Sequence, residues 1–178
     1  MRNEIKHHIG SLLLTIVILV LFEIVTTAFF PALGIKNYRI PFNILIVLYL
    51  GFKVESPFIA IFIFVLQYFH SFFSIEGWEM GTIAGIFICV IISYLKELLH
   101  FSSAIITILV TQLFQVFWFL IMSAILYLKL GDFGMIVDKF WRFLPESIFI
   151  SFCAPVFFVL MDRIWGVASK EGMLGEEV

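Results

Sequence analysis

The chain has 178 residues, of which 62% are hydrophobic and 13% charged, and its net charge is −2. A soluble domain averages roughly 45–50% apolar and about 25% charged residues, so this composition excludes a soluble domain and predicts an integral membrane protein with five or six spans of about 20 residues each. Because Lys and Arg are scattered and form no basic patch, the sequence also argues against nucleic acid as a partner.

The first two predicted spans differ in length. The first covers residues 9–30 and carries one charged side chain, Glu23. The second covers residues 40–52, which make about 20 Å of helix against a hydrocarbon core of about 30 Å. It can cross the membrane if Arg39 and Lys53 extend outward or if the bilayer thins around it; a re-entrant segment is the alternative.

The third and fourth predicted spans are marked by helix-start and helix-contact signals. The segment Glu55-Ser56-Pro57 predicts a helix start, because Ser caps a helix and Pro fits the first turn, so the third span covers residues 57–73. The fourth span covers residues 80–95. Its Gly81 and Gly85 are four residues apart, which lets another helix approach closely within lipid.

The last third of the chain predicts two spans and an interfacial helix. Residues 101–128 are uncharged and reach about 42 Å as a helix, so this fifth span must tilt or project. Apolar residues at helical spacing in 136–144 predict a short helix in the membrane interface. The sixth span covers residues 144–164 and contains Pro155, and residues 166–178 are predicted to be a disordered cytoplasmic tail.

Few polar side chains lie inside the predicted spans, and each needs a partner there. Glu23 lies about 6 Å from the middle of the first span. Gln67 and His70 share one face of the third span, and Gln112 and Gln115 share one face of the fifth, so either pair could meet Glu23 in a bundle. Two interpretations stay open for all five residues: contact with a ligand, or hydrogen bonds between helices.

The sequence contains no signature of an enzyme, a metal site or a bound cofactor. Its histidines lack the spacing of a zinc site, and no glycine-rich phosphate loop is present. Its serines have no base near them in sequence. The two cysteines lie inside apolar runs, where they are expected to be small buried residues. The residues considered were His7, His8, His70, His100, Ser102, Ser103, Ser123, Ser151, Cys89 and Cys153.

Membrane orientation does not follow from the positive charges alone. With six spans, the side that holds both termini carries six Lys and Arg residues and the opposite side carries five, as read from the sequence. An even number of spans places both termini on one side of the membrane.

Several short motifs occur in a characteristic order along the chain. They are Pro41-Phe42-Asn43, the tight turn before Pro57, the glycine-bearing loop before Gly81, Leu144-Pro145-Glu146-Ser147, Ala154-Pro155-Val156-Phe157 and Leu160-Met161-Asp162-Arg163. In this order the chain resembles the MreD family of bacterial rod-shape-determining proteins over residues 5–165. The ending is the most specific part. One stretch departs from the family: residues 65–70 lack the glycines and the Asp that members tend to have there.

The resemblance implies a function and a fold. It implies a non-enzymatic scaffold of the bacterial inner membrane, with both termini in the cytoplasm. The scaffold would bind an MreC-like membrane protein and link the MreB filament to the enzymes of peptidoglycan synthesis during elongation. The implied fold is all-α, a polytopic membrane protein whose six transmembrane helices resemble the substrate-binding subunit of ECF-type transporters.

Two functional hypotheses therefore assign the candidate residues differently. As a scaffold, the chain would use Gly81, Gly85, the helix at 136–144 and the last span with Pro155, Asp162 and Arg163 as contact surfaces. The alternative is a small-molecule (vitamin-like) binding membrane subunit of an ECF-type transporter. Its pocket would be lined by Glu23, Gln67, His70, Gln112 and Gln115.

Overall fold

In the computed structural model of the chain, every regular element among the described residues is helical. The structure describes residues 2–32, 34, 40–54, 56–74, 77–95 and 103–166. In chain order the elements are α1 (Arg2–Ile24), a π-helical turn (Val25–Phe29), α2 (Phe30–Ala32), α3 (Phe42–Lys53), α4 (Ile59–Ser71), α5 (Gly77–Leu95), α6 (Ala104–Leu130) and α7 (Phe133–Trp165). The predicted tail lies outside the described residues, apart from Gly166 at the end of α7.

Among the described residues, four stretches are long and apolar enough, by length and composition, to cross a membrane. They are His8–Ala32, which includes most of α1, the π-helical turn and α2, and then α5, α6 and α7. The helices α3 and α4 are also apolar but have only 12 and 13 residues. The prediction of an all-helical chain with several candidate membrane spans is confirmed for the described residues.

The helix bundle has two ends, which we call proximal and distal, and each is identified by contacts between helix termini. At the proximal end the start of α1 meets the end of α7, where the Ser11 hydroxyl donates a hydrogen bond to the Ile164 carbonyl oxygen at 2.9 Å. At the distal end the last turns of α1 and α4 meet, where Glu23 contacts His70. The helices α1 and α4 therefore run in the same direction, and α7 runs opposite to α1.

The short helix α3 lies in the centre of the bundle. Its eight consecutive residues from 43 to 50 are all buried, and α1, α4, α5, α6 and α7 pack around it. A helix that is buried on every side does not meet lipid, so its 12 residues need not match the thickness of the hydrocarbon core. Arg39 lies outside the described residues, so the outward extension of Arg39 and Lys53 and the local thinning of the bilayer remain predictions.

A two-residue turn joins α6 to α7. Gly131 adopts a left-handed conformation with φ 67°, and its N–H donates to the Tyr127 carbonyl oxygen at 2.8 Å. Asp132 then caps α7 by accepting a hydrogen bond from the Gly134 N–H at 2.8 Å. Gly and Asp suit these two positions because Gly has no Cβ to clash and Asp carries a side-chain acceptor. The two longest helices are thus held as an antiparallel hairpin.

The helix α7 is longer than the sequence predicted. Its 33 residues continue through Pro145 and Pro155, and they span about 50 Å. The predicted interfacial helix at 136–144 and the predicted sixth span are therefore one continuous helix, and the predicted boundary at Leu144 is absent. Prolines are tolerated inside such helices when neighbouring groups satisfy the backbone that they leave unbonded.

The first part of α7 has one face against α6 and another face exposed. The rings of Phe140 and Phe143 lie 5.6 Å and 4.7 Å from that of Phe119 on α6. The apolar face that predicted an interfacial helix therefore packs largely on α6. The exposed face carries a row of large apolar side chains, which we call the α7 stripe. The α7 stripe consists of Phe133, Val137, Trp141 and Ile148.

The two glycines of α5 are used for packing within the chain. A Cβ added at Gly85 would lie 2.8 Å from the Ile63 side chain and 3.4 Å from that of Val47. A Cβ added at Gly81 would overlap the side-chain amide of Gln67. The close approach predicted from their spacing therefore occurs against α3 and α4. Neither glycine presents a surface to a separate partner.

Candidate functional site: a polar cavity at the distal end

A cavity of about 350 Å³ lies at the distal end of the bundle, and we call it the distal cavity. Its walls come from the end of α1, the start of α3, the end of α4, the second half of α6 and the first half of α7. Pockets for small molecules have volumes of about 300–1,000 Å³. The apolar lining residues are Ile40, Pro41, Ile44, Trp118, Phe119, Met122 and Phe143, and the polar ones are Glu23, His70, Ser74, Lys139, Arg142 and Glu146.

Glu23 and His70 form a contact in the wall of the distal cavity. Glu23 is 1% exposed, and its Oε1 lies 2.7 Å from the Nδ1 atom of His70, whose side chain is 13% exposed. The π-helical turn begins two residues after Glu23, and the hydroxyls of Thr26 and Thr27 both donate to the Glu23 carbonyl oxygen. Such turns are frequent at functional sites. Of the two residue pairs expected near Glu23, the one on the third predicted span therefore supplies its partner.

A side pocket of about 60 Å³ adjoins the distal cavity and shares His70 and Trp118 with it. In this side pocket the Asn43 Nδ2 atom donates a hydrogen bond to Gln67 Oε1 at 3.3 Å. The two residues are 5% and 1% exposed. Asn43 Oδ1 and Gln67 Nε2 have no hydrogen-bond partner among the described residues. Both residues line the side pocket, so an unpartnered acceptor and an unpartnered donor lie at its wall.

The position of the Gln67 amide depends on Gly81. The amide lies against the α5 backbone, in the space that a Cβ at position 81 would fill. Gly81 also lines the side pocket together with Gln67. The absence of a side chain at Gly81 thus permits the Asn43–Gln67 contact.

Charged side chains of both signs line the distal cavity from α7. Lys139, Arg142 and Glu146 are spaced three, four and seven residues apart, which places them on one helix face. Arg142 is exposed, whereas Lys139 and Glu146 are half-buried. None of these three charged residues, and not Asn43 either, was predicted from the sequence to belong to a site. The helical spacing of the three α7 charges was the signal that could have identified them.

Gln112 and Gln115 form a separate network between α6 and α7. Gln112 Nε2 donates to Ser147 Oγ at 3.1 Å, and the Ser151 hydroxyl donates to Gln112 Oε1 at 2.8 Å. Gln115 Nε2 donates to Ser151 Oγ at 3.0 Å. Neither glutamine lines the distal cavity. Of the two open interpretations, hydrogen bonding between helices describes this pair.

The candidate residues at the end of α7 lie away from the distal cavity. The Tyr49 hydroxyl donates to Asp162 Oδ1 at 3.0 Å, which ties the end of α7 to the buried helix α3. Arg163 is exposed, and Pro155 is half-buried in the middle of α7. Asp162 therefore has a role within the fold, and Arg163 remains available at the surface of the proximal end.

Comparison with family models, curated proteins and solved structures finds no match to this chain. Its function is therefore inferred from its own residues and their geometry. In these terms the distal cavity can hold a small molecule with polar groups, while the α7 stripe offers an apolar contact surface.

Proposed function

We propose that the chain is a six-span, non-enzymatic scaffold of the bacterial inner membrane, similar to the MreD family, with both termini in the cytoplasm. The direction of the short helices supports six crossings. In α4, Phe62 packs near Trp165 at the proximal end, whereas His70 lies at the distal end. In α3, Asn43 lines the distal side pocket and Tyr49 bonds to the end of α7. Each short helix thus leads from one end of the bundle to the other.

The α7 stripe is the observation that carries the scaffold proposal. The length of α7, about 50 Å, exceeds a hydrocarbon core of about 30 Å, so part of the helix extends past it or tilts strongly. Phe133 and Trp141 are 66% and 67% exposed. Where such a helix extends past the hydrocarbon core, large exposed apolar surfaces mark interaction sites. The partner would be an MreC-like membrane protein, and through it the chain would connect the MreB filament with the wall-synthesis enzymes.

Photo-crosslinking tests this surface. Benzoylphenylalanine replaces Trp141 in one variant and Phe143 in another. Position 143 is the control, because Phe143 lies on the same helix as Trp141 but is buried against Phe119 of α6. We expect the variant at position 141 to crosslink an MreC-like protein in the native membrane and the variant at position 143 not to do so. Equal crosslinking from both positions, or capture of lipid alone, would contradict the proposed surface.

Depletion of the protein in its native host tests the function itself. A scaffold of elongation predicts rounded or lysing cells, because wall synthesis loses its spatial guidance. Normal cell shape after depletion would overturn the proposal.

Reporter fusions near residue 6 and at residue 178 test the topology, and both should report the cytoplasm.

The distal cavity favours a second candidate function, a small-molecule binding subunit of an ECF-type transporter. Its volume falls in the range of ligand pockets, and buried polar groups converge with apolar walls, as ligand pockets require. The residues that line the distal cavity and its side pocket differ from the set that the sequence predicted for a ligand pocket. Glu23, Gln67 and His70 contribute, whereas Gln112 and Gln115 do not. Depletion would then produce loss of uptake of one nutrient in cells of normal shape.

A further inference from the structure

We infer that the distal cavity and its side pocket bind a small molecule through an amide group, which is seated against the hydrogen-bonded pair of Asn43 and Gln67. The inference depends on the geometry of the cavity and does not rest on the scaffold proposal. It names the chemical class of the ligand, an amide-bearing molecule with an apolar body.

The hydrogen-bonding capacity of the Asn43–Gln67 pair defines the ligand group. A carboxamide carries one acceptor oxygen and one donor nitrogen. The contact between the two residues uses the nitrogen of one and the oxygen of the other. Among the described residues, Asn43 Oδ1 and Gln67 Nε2 are left without a partner. The pair thus requires one donor and one acceptor from whatever fills the side pocket.

This requirement does not depend on how the two amides are oriented. If both side chains were rotated by half a turn, Gln67 would donate to Asn43 instead. One donor and one acceptor would again remain, on exchanged residues. An amide group offers a donor N–H and an acceptor C=O a few ångströms apart, so it matches the pair in either orientation. An ester or an ether lacks the donor and matches only half of it.

The side chains that line the distal cavity indicate the chemistry of the rest of the ligand. Trp118 and Met122 border both the side pocket and the distal cavity, and Phe143 continues the apolar wall. An apolar body attached to the amide would pack on these side chains. Lys139, Arg142 and Glu146 place charges of both signs on the α7 wall, so the far end of the ligand would lie beside charged side chains.

A matched pair of probes tests the inference on the unmodified chain. The purified full-length protein in lipid nanodiscs is titrated with para-fluoro-N-methylbenzamide and with methyl para-fluorobenzoate. These two molecules have nearly the same shape, and the ester lacks the N–H donor. Fluorine NMR measures saturable binding after subtraction of empty nanodiscs. We expect the amide to bind about tenfold more tightly than the ester, because the ester leaves one buried acceptor unpaired.

Variants of the protein locate the binding site. Gln67→Met removes the amide with little change in volume, and Gly81→Ala displaces it without removing any polar group. Both should weaken binding of the benzamide by about tenfold and reduce its preference over the ester. Gln115→Met is the matched control. Gln115 is also a buried amide with one oxygen unpaired among the described residues, but it does not line the cavity.

Three results of these binding experiments would overturn the inference. Equal affinity for amide and ester, or equal loss in the Gln67 and Gln115 variants, would overturn it. No saturable binding of either probe would also overturn it, and would mean that one or two waters satisfy the pair, for which about 60 Å³ is sufficient. None of these results bears on crosslinking from the α7 stripe or on cell shape, so failure here leaves the scaffold proposal intact.

Discussion

Two pairs of amide side chains, Asn43 with Gln67 and Gln112 with Gln115, lie inside the helix bundle and differ in what faces them. Gln112 and Gln115 face Ser147 and Ser151, whose hydroxyls lie within hydrogen-bond distance. Asn43 and Gln67 face each other and a cavity. We call Asn43 and Gln67 the open pair, and Gln112 and Gln115 the closed pair. Residue type is therefore a poor guide to function within a membrane bundle. The small polar residues on the opposing helix determine whether an amide is a structural link or a potential ligand contact.

The largest expected effect comes from the helix that supports the open pair. Gly85→Leu would force a side chain into Ile63, since a Cβ alone would lie 2.8 Å from it. We expect a loss of about 3 kcal/mol or more in the free energy of unfolding and reduced accumulation in the membrane. The control is Gly10→Leu, because a Cβ at Gly10 would meet nothing within 4 Å. Normal accumulation of the Gly85 variant would mean that α4 and α5 can separate without cost.

The second-largest loss of stability is expected from substitution of Glu23, which contacts His70. Glu23→Leu leaves His70 without this partner beside the distal cavity, and we expect it to lower the free energy of unfolding by about 2–3 kcal/mol. Glu23→Gln retains a side chain that can hydrogen-bond to the imidazole and should lose about 1 kcal/mol or less. Unfolding in mild detergent with increasing denaturant compares the two. If the Gln variant loses as much as the Leu variant, the charge of Glu23 is required for stability.

A smaller loss is expected in the closed pair. Gln112→Met removes two hydrogen bonds to serines, and hydrogen bonds between membrane helices average about 0.6 kcal/mol, so the loss should be about 1 kcal/mol. A double-mutant cycle with Ser151→Ala isolates the coupling between the two side chains. Additive effects in this cycle would show that the hydrogen bond seen between them contributes nothing.

The smallest change should occur in the open pair. Gln67→Met removes one long hydrogen bond of 3.3 Å and, at the same time, a buried donor without a partner among the described residues. Asn43 Nδ2 loses its acceptor while the unpaired Gln67 Nε2 disappears, so the number of unpaired buried atoms in this pair stays the same and we expect the free energy of unfolding to change by about 0.5 kcal/mol or less. The same denaturation assay compares this variant with Gln112→Met. If Gln67→Met lowered the free energy of unfolding more than Gln112→Met does, the expected order of the two pairs would be contradicted.

The elements of the fold that depend on local sequence were predictable. Apolar runs and their polar interruptions predicted helices close to those observed, for example residues 80–95 against Gly77–Leu95. The boundary predicted at Leu144, between an interfacial helix and the sixth span, does not occur, because α7 continues through Pro145. Inside a helix bundle, a proline can lie in mid-helix where neighbouring groups satisfy the freed backbone, and this compensation has no local sequence signal.

The candidate site was only partly predictable. Glu23 and His70 stood out because charged or titratable side chains are rare in apolar helices. Asn43 and Glu146 did not, because their importance depends on which helices meet at the distal end. The burial of α3 on all sides could not be read from its apolar sequence, since an apolar helix can equally face lipid.

The central position of α3 has a mechanical consequence for the distal cavity. Ile44 and Asn43, which line the cavity and its side pocket, belong to a helix that is screened from the bilayer by its neighbours. Lateral pressure and lipid composition act on helices with lipid-facing sides, such as α6 and α7. The α3 wall of the cavity is thus screened from the surrounding lipid, whereas the α6 and α7 walls belong to helices with exposed apolar side chains. A change in the bilayer would reach the cavity through α6 and α7 and not through α3.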